Sequence, residues 1–383
     1  ADARGLPTTW SDQQNVVWKI ELPGAGASTP VVYGDHIYLT AFNGYLVPGQ
    51  PQGKLDDLVR SLICIDRNSG SFIWQKTVAA VLPEEESIRD HGYAANSAVV
   101  DEDHVYAFLG KSGVYAFDHH GNQVWNADVG TRTHGWGTAA SPVLYKDLVL
   151  INASVESESL IALNRTTGEP EWSVDGIKEA WNTPLVAKSA DGTDELVISV
   201  PKRVIGLDPA TGKQLWSCDS EITWYMVPSP VAADGVVYVF GGRSGTASLA
   251  IRLGGRGDVT GTHRLWTSMK GSNVTSPIYH DGHLYWMHDQ IGIAYCASAE
   301  TGELRYEQRM NRGGQVYASS LLADGKVYYT NRSGRTFVVD AKPEFSLVAT
   351  NDLGDGGQFN ASPVVTGKRI LIRSDRFLYC LGE

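Results

Sequence analysis

Apolar residues along this chain come in short runs broken by clusters of glycine, aspartate, asparagine and proline, and the three-to-four-residue spacing of a long amphipathic helix is absent. The clearest unit is Val204 to Trp216, V-I-G-L-D-P-A-T-G-K-Q-L-W, which predicts a strand, a tight turn and a second strand. Val204, Ile205 and Leu207 are β-formers, Asp208 is placed to cap the turn with its carboxylate, Pro209 presets φ, and Gly212 takes the positive φ that closes a hairpin. One hairpin cannot bury its apolar face alone, so such a unit needs copies of itself.

The copies are present. L-I-C-I-D-R-N-S-G-S-F-I-W ends at Trp74, V-Y-A-F-D-H-H-G-N-Q-V-W at Trp125, L-I-A-L-N-R-T-T-G-E-P-E-W at Trp172, and a weaker version at Tyr306. The aromatic stands four residues after the turn glycine each time. In the fifth unit the turn is stretched from Gly254 to Gly261 before Trp266, and the seventh, Val338 to Val348, lacks the tryptophan.

A second phrase precedes each hairpin, as in S-T-P-V-V-Y-G-D-H-I-Y-L from Ser28 and T-S-P-I-Y-H-D-G-H-L-Y-W from Thr275. Aligning Pro30, Ala98, Pro142, Pro184, Pro230, Pro277, Ser320 and Pro363 gives intervals of 68, 44, 42, 46, 47, 43 and 43 residues. Each interval suits one four-stranded propeller blade of roughly 40–50 residues. The fold expected is all-β: an eight-bladed β-propeller of four-stranded antiparallel blades, forming a single domain over residues 1–383. The eighth unit lacks its aromatic-bearing strand, and Val16-Val17-Trp18-Lys19-Ile20 is such a strand without a unit, so the N-terminal strand is expected to close the last blade and remove the open sheet edges. The long first interval is assigned to an insertion, Asn43 to Ser61, looping beyond the blade.

Composition narrows the partners. A net charge of −11 without a basic cluster argues against nucleic acid and anionic membrane surfaces, and no apolar run reaches the roughly 20 residues that span a bilayer. The start A-D-A-R-G, without Met or an apolar leader, reads as a mature protein after signal-peptide removal, hence periplasmic or otherwise extracytoplasmic. Cys64, Cys296 and Cys380 occupy a small-residue slot that Ala116 and Ala162 fill elsewhere, and they are read with Cys218 as buried packing thiols.

The paired phrases S-x-P-V-x-x-x-x-x-x-Y and L-x-A-L-D-x-x-T-G-x-x-x-W resemble the repeats of the pyrroloquinoline-quinone-type propellers. The chain from T-T-W-S-D-Q-Q-N-V-V-W-K-I-E-L-P-G to F-L-Y-C-L-G, with A-I-R-L-G-G-R-G-D-V-T-G-T-H-R-L-W between, is similar to the bacterial extracytoplasmic BamB-like or PQQ-binding-like subgroup. That resemblance implies blades tied together by docked tryptophans and, in BamB-like members, a binding or scaffolding role. The quinoprotein dehydrogenases of the superfamily hold the quinone against adjacent cysteines. Here the cysteines lie at 64, 218, 296 and 380 and no C-x-x-C-H haem motif occurs, so neither quinone nor other cofactor is expected. A lipoprotein anchor would require a cysteine where Ala1 stands.

Candidate chemistry lies in the segments that enter the innermost strands, because these converge on one mouth of the central channel. His91, Tyr93, His134, Trp136, Glu179, Trp181, Trp224, Tyr225, Arg312, Gln315, Tyr317 and Gln358 would ring a single concavity there. Aromatic walls with a few charged heads suit carbohydrate or another polar small molecule. The same aromatics also serve to plug a narrow channel. His91, His134 and Glu179 lack metal-ligand spacing, so no metal is expected. His, Tyr and Arg at a channel mouth are the types that some propeller enzymes acting on acidic sugars use for proton abstraction and carboxylate binding. The balance favours a monomeric binding or scaffold protein, with an enzyme or polar-ligand binder as the alternative.

Overall fold

The computed structural model describes residues 3–382, so the expected mature terminus at Ala1 lies outside the described residues. Eight antiparallel sheets follow one another around a central axis. Blade 1 comprises Val31–Tyr33, His36–Asn43, Val59–Asp66 and Phe72–Ala79, ordered from the axis outward. Blade 8 takes Val364–Thr366, Arg369–Arg373 and Phe377–Leu381 from the C-terminal end and its outer strand, Val16–Glu21, from the N-terminal end. The register runs from Val16 opposite Leu381 to Glu21 opposite Phe377, so the ring closes as the sequence predicts.

Why the second and third strands of each blade are buried along most of their length follows from their position between two neighbours. In Leu148–Ala153 of blade 3, Val149 and Ile151 pack with blade 2 while Leu150 packs with blade 4. The core is therefore not one mass but eight seams, one between each pair of adjacent blades, including blade 8 with blade 1. A strand buried on both faces loses the polar alternation of a half-exposed strand.

The repeated turn and tryptophan do one job together. Asp66, Asp118, Asn164 and Asp208 each accept backbone N–H groups of their turns. The turn glycine then lies against the tryptophan of the preceding blade. A Cβ on Gly168 (φ +77°) would stand 2.6 Å from the Trp125 ring, and Gly121, Gly212 and Gly302 meet Trp74, Trp172 and Trp266 in the same way. Four indole N–H groups donate to a carbonyl of the next blade: Trp18 to Arg67, Trp74 to His119, Trp125 to Arg165 and Trp266 to Ala299, at 2.9–3.3 Å. Within its own blade each tryptophan stands opposite a small residue: Cys64 with Trp74, Ala116 with Trp125, Ala162 with Trp172, Cys380 with Trp18. The cysteines are thus packing residues, buried and unbridged, and burial pushes the Cys64 thiol up to about 12 and the others to about 11.

At the axis, a hydroxyl in the residue before each aligned repeat position stitches the ring. The backbone N–H of Thr29 donates to Ser97 Oγ, and the series continues through Ser141, Thr183, Ser229, Ser276, Ser319 and Ser362 back to Thr29, each step 2.9–3.2 Å. These eight bonds form a closed girdle joining every blade to the next.

Departures from the repeat are local. The stretched turn of blade 5 lays Gly257–Asp258 parallel to the outer strand of blade 4, making that sheet five-stranded, and buries Val259 in the seam. In blade 7 the tryptophan position is Ala349, and the facing slot holds the larger Val338. Trp10 occupies that seam instead, stacked 6.3 Å from Tyr328, its backbone N–H bonded to Asn351 Oδ1. The insertion is shorter than expected, because Asn43 ends one strand and Val59–Ser61 begin the next, paired across the blade. The loop proper, 44–58, turns back so that Tyr45, Val47 and Leu58 pack with Phe42 and Tyr93.

Candidate functional site

The connections from each outer strand to the next blade, and from second strand to third, all emerge on one face of the ring, the mouth face. Beneath it on the axis lies a chamber of about 260 Å³. Its floor is seven of the girdle hydroxyls, Thr29, Ser97, Ser141, Thr183, Ser229, Ser276 and Ser319, and its walls include Ala27, Ala95, Ala139, Val227 and Val274. Five of the twelve residues singled out in the sequence line it: His91, Trp136, Trp181, Tyr225 and Tyr317.

These five belong to a stopper. The connection from blade 1 to blade 2 reaches over the axis, and its Asp90 is gripped from the far side of the ring. Arg332 Nη1 donates to Asp90 Oδ1 at 3.1 Å, Tyr317 Oη to Oδ2 at 3.3 Å, and Asn360 Nδ2 to the Asp90 carbonyl at 2.8 Å. Arg332 also donates to Asn360 Oδ1 and Gln315 Oε1, and its guanidinium lies 4.3 Å from the Tyr317 ring centre. On the near side the Arg89 guanidinium covers Trp136 at 4.6 Å, and Trp136 and Trp181 both pack on Tyr225, at 5.8 and 5.6 Å between ring centres. Trp181 Nε1 donates to the Gly137 carbonyl at 2.7 Å. Burial pushes the His91 imidazole below its ordinary value, with the carbonyls of Gly92 and Trp136 opposing, so it stands neutral in the neutral range. Burial also raises the Tyr317 phenol, and the Asp90 carboxylate adds to that.

The other seven residues lie elsewhere. Tyr93 is buried between Phe42 and Tyr45 and donates to the Glu85 carbonyl. His134 and Glu179, with Trp181, line a separate cleft of about 890 Å³ between blades 3 and 4, where Arg132 and Lys178 both pair with Glu158. Trp224 is 42% exposed and stands outside the chamber against Tyr225. Gln315 braces Arg332, whereas Arg312 and Gln358 engage through their backbones: the Arg312 carbonyl accepts from Asn331 Nδ2 and the Gln358 N–H donates to Asp375 Oδ1. The predicted concavity is therefore two cavities, because Trp181 and the Arg132–Gly137 segment stand between them. Asp90, Arg243, Arg332 and Asn360 were not foreseen. The girdle hydroxyls were visible in principle, since every repeat phrase carries Ser or Thr at that position.

Beside the stopper a smaller void of about 20 Å³ lies among buried ionisable groups. Arg60 pairs with Glu84 at 2.6 Å, both nearly inaccessible. Glu156 hydrogen-bonds Thr138 through Oε1, while Oε2 has no partner, and desolvation pushes its carboxyl up to about 7 against the pull of Thr138 and Arg60. His91, His134 and Glu179 share no common point. Among the described residues, the cluster able to share a cation is Asp101, Asp103 and His104, in a turn on the opposite face whose Asp101 already accepts the N–H groups of Asp103 and His104.

The profile of the PQQ_2 family, described as outer membrane protein assembly factor BamB, matches residues 59–308. The chain belongs to that family. A search of curated protein sequences finds no match. Among solved structures, BamB from Moraxella catarrhalis superposes with a TM-score of 0.67 at 14% identity, covering 96% of this chain and 97% of that one. A europium-containing methanol dehydrogenase aligns at 0.65 and 12% identity, covering 93% and 84%, and the quinohemoprotein alcohol dehydrogenase from Comamonas testosteroni at 0.64 and 12%, covering 96% and 76%. At such identities the likeness is one of fold.

The chamber's donors do not fit a quinone bridged to a cation. Asp90 is the one carboxylate among its lining residues, and Arg332 and Tyr317 already hold it, whereas a hard cation collects six or more oxygens. The four cysteines sit in the blades rather than at the mouth.

Proposed function

We propose that this BamB-family propeller is a non-catalytic, extracytoplasmic scaffold that holds protein partners on its mouth face. The observation that carries the reading is the stopper. Of the ionisable groups that line the chamber, Asp90 is held by Arg332 and Tyr317, and His91 stands neutral. The one carboxylate that lines the chamber is thus committed to holding the connection in place. A catalytic carboxylate needs to be free to reach a substrate, and Asp90 is spent on fold-holding bonds. The family description, an outer membrane assembly factor, supports protein partners and a place outside the cytoplasm. The rigid ring supports it too, since eight seams and a closed girdle give a fixed platform for loops of differing length.

The test is site-specific photo-crosslinking in the native cell envelope. Crosslinkers replacing Trp224 and Lys178 on the mouth face are expected to give discrete protein adducts, and those replacing Asn68 and Thr167 in the hairpin turns of the opposite face none. Adducts from neither face, or only from the hairpin turns, overturn the proposal.

One observation favours a second reading, a polar small-molecule binder. The girdle uses the hydroxyl oxygens as acceptors, so their protons remain available to a ligand such as a sugar in the 260 Å³ chamber. Native mass spectrometry of protein purified without additives would show such a ligand as a discrete added mass.

A further inference from the structure

The outer strand of each blade ends its sheet, so half of its main-chain groups face solvent unless something is laid along them. Blade 4 shows what fits there. Its outer strand, Gln214–Asp219, receives Gly257–Asp258 of the same chain as a fifth strand, and the Val259 N–H is donated to the Ser217 carbonyl at 2.9 Å. Under that cover Leu215 is part-buried, whereas Ile73 of blade 1 and Val124 of blade 2, which like Leu215 stand just before the tryptophan of their blade, are both 46% exposed.

Blade 1 has the least protected edge. Its outer strand, Phe72–Ala79, is eight residues long, and the exposed positions, Phe72, Ile73, Gln75, Thr77 and Ala79, carry no charge. The one charged side chain, Lys76, lies away from the edge against the turn glycine of blade 2, its Cε 2.5 Å from where a Gly121 Cβ would stand. Every other outer strand among the described residues exposes charged side chains, as Glu171 and Asp175 do in blade 3 and Lys19 and Glu21 in blade 8, or is five residues long, as in blades 2 and 5. Charge, proline and shortness are the means by which edges are blunted against pairing, and blade 1 uses none of them. The direction of its free groups follows from the ladder. Ala80 donates to the Leu58 carbonyl at 3.0 Å, and the register runs unshifted from Val59 opposite Ala79 to Cys64 opposite Trp74. Bonded pairs alternate in an antiparallel ladder, so the N–H and C=O of Gln75 and Thr77 point away from the blade, where no strand among the described residues pairs with them. Gln75 follows its tryptophan as Ser217 does in blade 4.

We infer that the rim of blade 1 binds an extended, uncharged segment of another protein, which pairs with Phe72–Ala79 as a fifth strand. Main-chain bonds to Gln75 and Thr77 hold the segment, and its apolar side chains cover Phe72 and Ile73. A second ring is the poorer occupant. Two rings meeting rim to rim touch along little more than one strand each, short of the roughly 800 Å² per partner of a stable interface. A single strand needs less, because its main-chain bonds supply affinity and its alternate side chains specificity. A strand on this edge stays clear of Asn68, whose amide turns inward to Asp35 at 3.4 Å. The inference goes beyond the mouth-face reading and adds a rim site to it.

The experiment uses the purified full chain and a fluorescent capped peptide, acetyl-Thr-Val-Thr-Ile-Thr-Val-Gly-Lys-amide, with a counterpart carrying proline in place of its isoleucine and second valine. The first peptide is expected to bind and to slow amide hydrogen exchange in Phe72–Ala79, and the proline counterpart to bind at least tenfold more weakly. Thr77→Pro removes one outward N–H at an edge position, where proline is tolerated, and is expected to weaken binding at least tenfold. Ile73→Lys, an exposed change that blunts the edge, is expected to weaken it as much with no change in melting temperature. A peptide that fails to bind, that protects another blade, or that binds either variant as well as wild type overturns the inference. So does a wild-type chain that sediments as a dimer and becomes monomeric on Thr77→Pro, since a second copy would then be the occupant. The crosslinks at Trp224 and Lys178 report the mouth face alone, so the scaffold reading stands or falls separately.

Discussion

Single residues in this ring are constrained from the neighbouring blade as much as from their own. Gly168 shows it: φ of +77° and the Trp125 ring 2.6 Å from a would-be Cβ both exclude a side chain, whereas Gly176, at φ +84°, has open space around it. Gly168→Ala should therefore cost about 2–4 kcal/mol, the sum of left-handed strain and forced repacking, and Gly176→Ala only about 1 kcal/mol. Parallel urea titrations of the two variants read the difference directly. Glu156 carries a pH signature. Its carboxyl is raised to about 7 by burial, against an ordinary 4.5, so the folded state keeps a proton that the unfolded state gives up between those values. Stability from this group is whole below pH 4.5 and declines as pH rises through 7, by about 3 kcal/mol at most. Glu156→Gln should flatten that decline in melting temperature between pH 5 and 8. The turn glycines were legible in sequence because their reason repeats. Glu156 was not, because nothing in N-A-S-V-E-S-E announces that its carboxylate turns inward to Thr138.

Elements are where the repeat both informs and misleads. Strand count, blade count and N-terminal closure followed from phrases that report local pairing, and the pairing is what the fold contains. The loss of tryptophan in blade 7 was readable, but its remedy was not, since Gly5 to Trp10 matches no repeat phrase. Trp10 fills the seam that Ala349 leaves thin, and Gly5 and Asn351 tie the segment down through Asp324 and Thr8. Trp10→Ala should cost about 3–5 kcal/mol, as for other buried aromatics cut to alanine. Hydrogen exchange should show the loss concentrated in Lys326–Thr330 and Arg369–Arg373 rather than spread around the ring. The mouth was legible only in part for a related reason. Its segments do converge, but whether they make one bowl depends on how far each loop leans over the axis. The residue that decides this, Asp90, finds its partners 227 to 270 positions away.

At the scale of the whole molecule, eight seams of similar construction leave no single core to lose, and the girdle makes every blade answerable to two others. Such a frame suits recognition by loops, because loops can differ in length and chemistry while the strands beneath them stay put. The closing blade adds an element of time. Val16 pairs with Leu381, so at roughly 5–20 residues per second of synthesis the first strand waits about 20–70 s for the strand that will receive it. Until then seven blades can form in order, but the circle has no clasp, and the N-terminal strand stays unclaimed with its tryptophan uncovered. On that schedule the pairing of Val16–Glu21 with Phe377–Leu381 is the last blade contact that synthesis permits, which makes ring closure the step most exposed to interception by whatever else binds an unpaired strand.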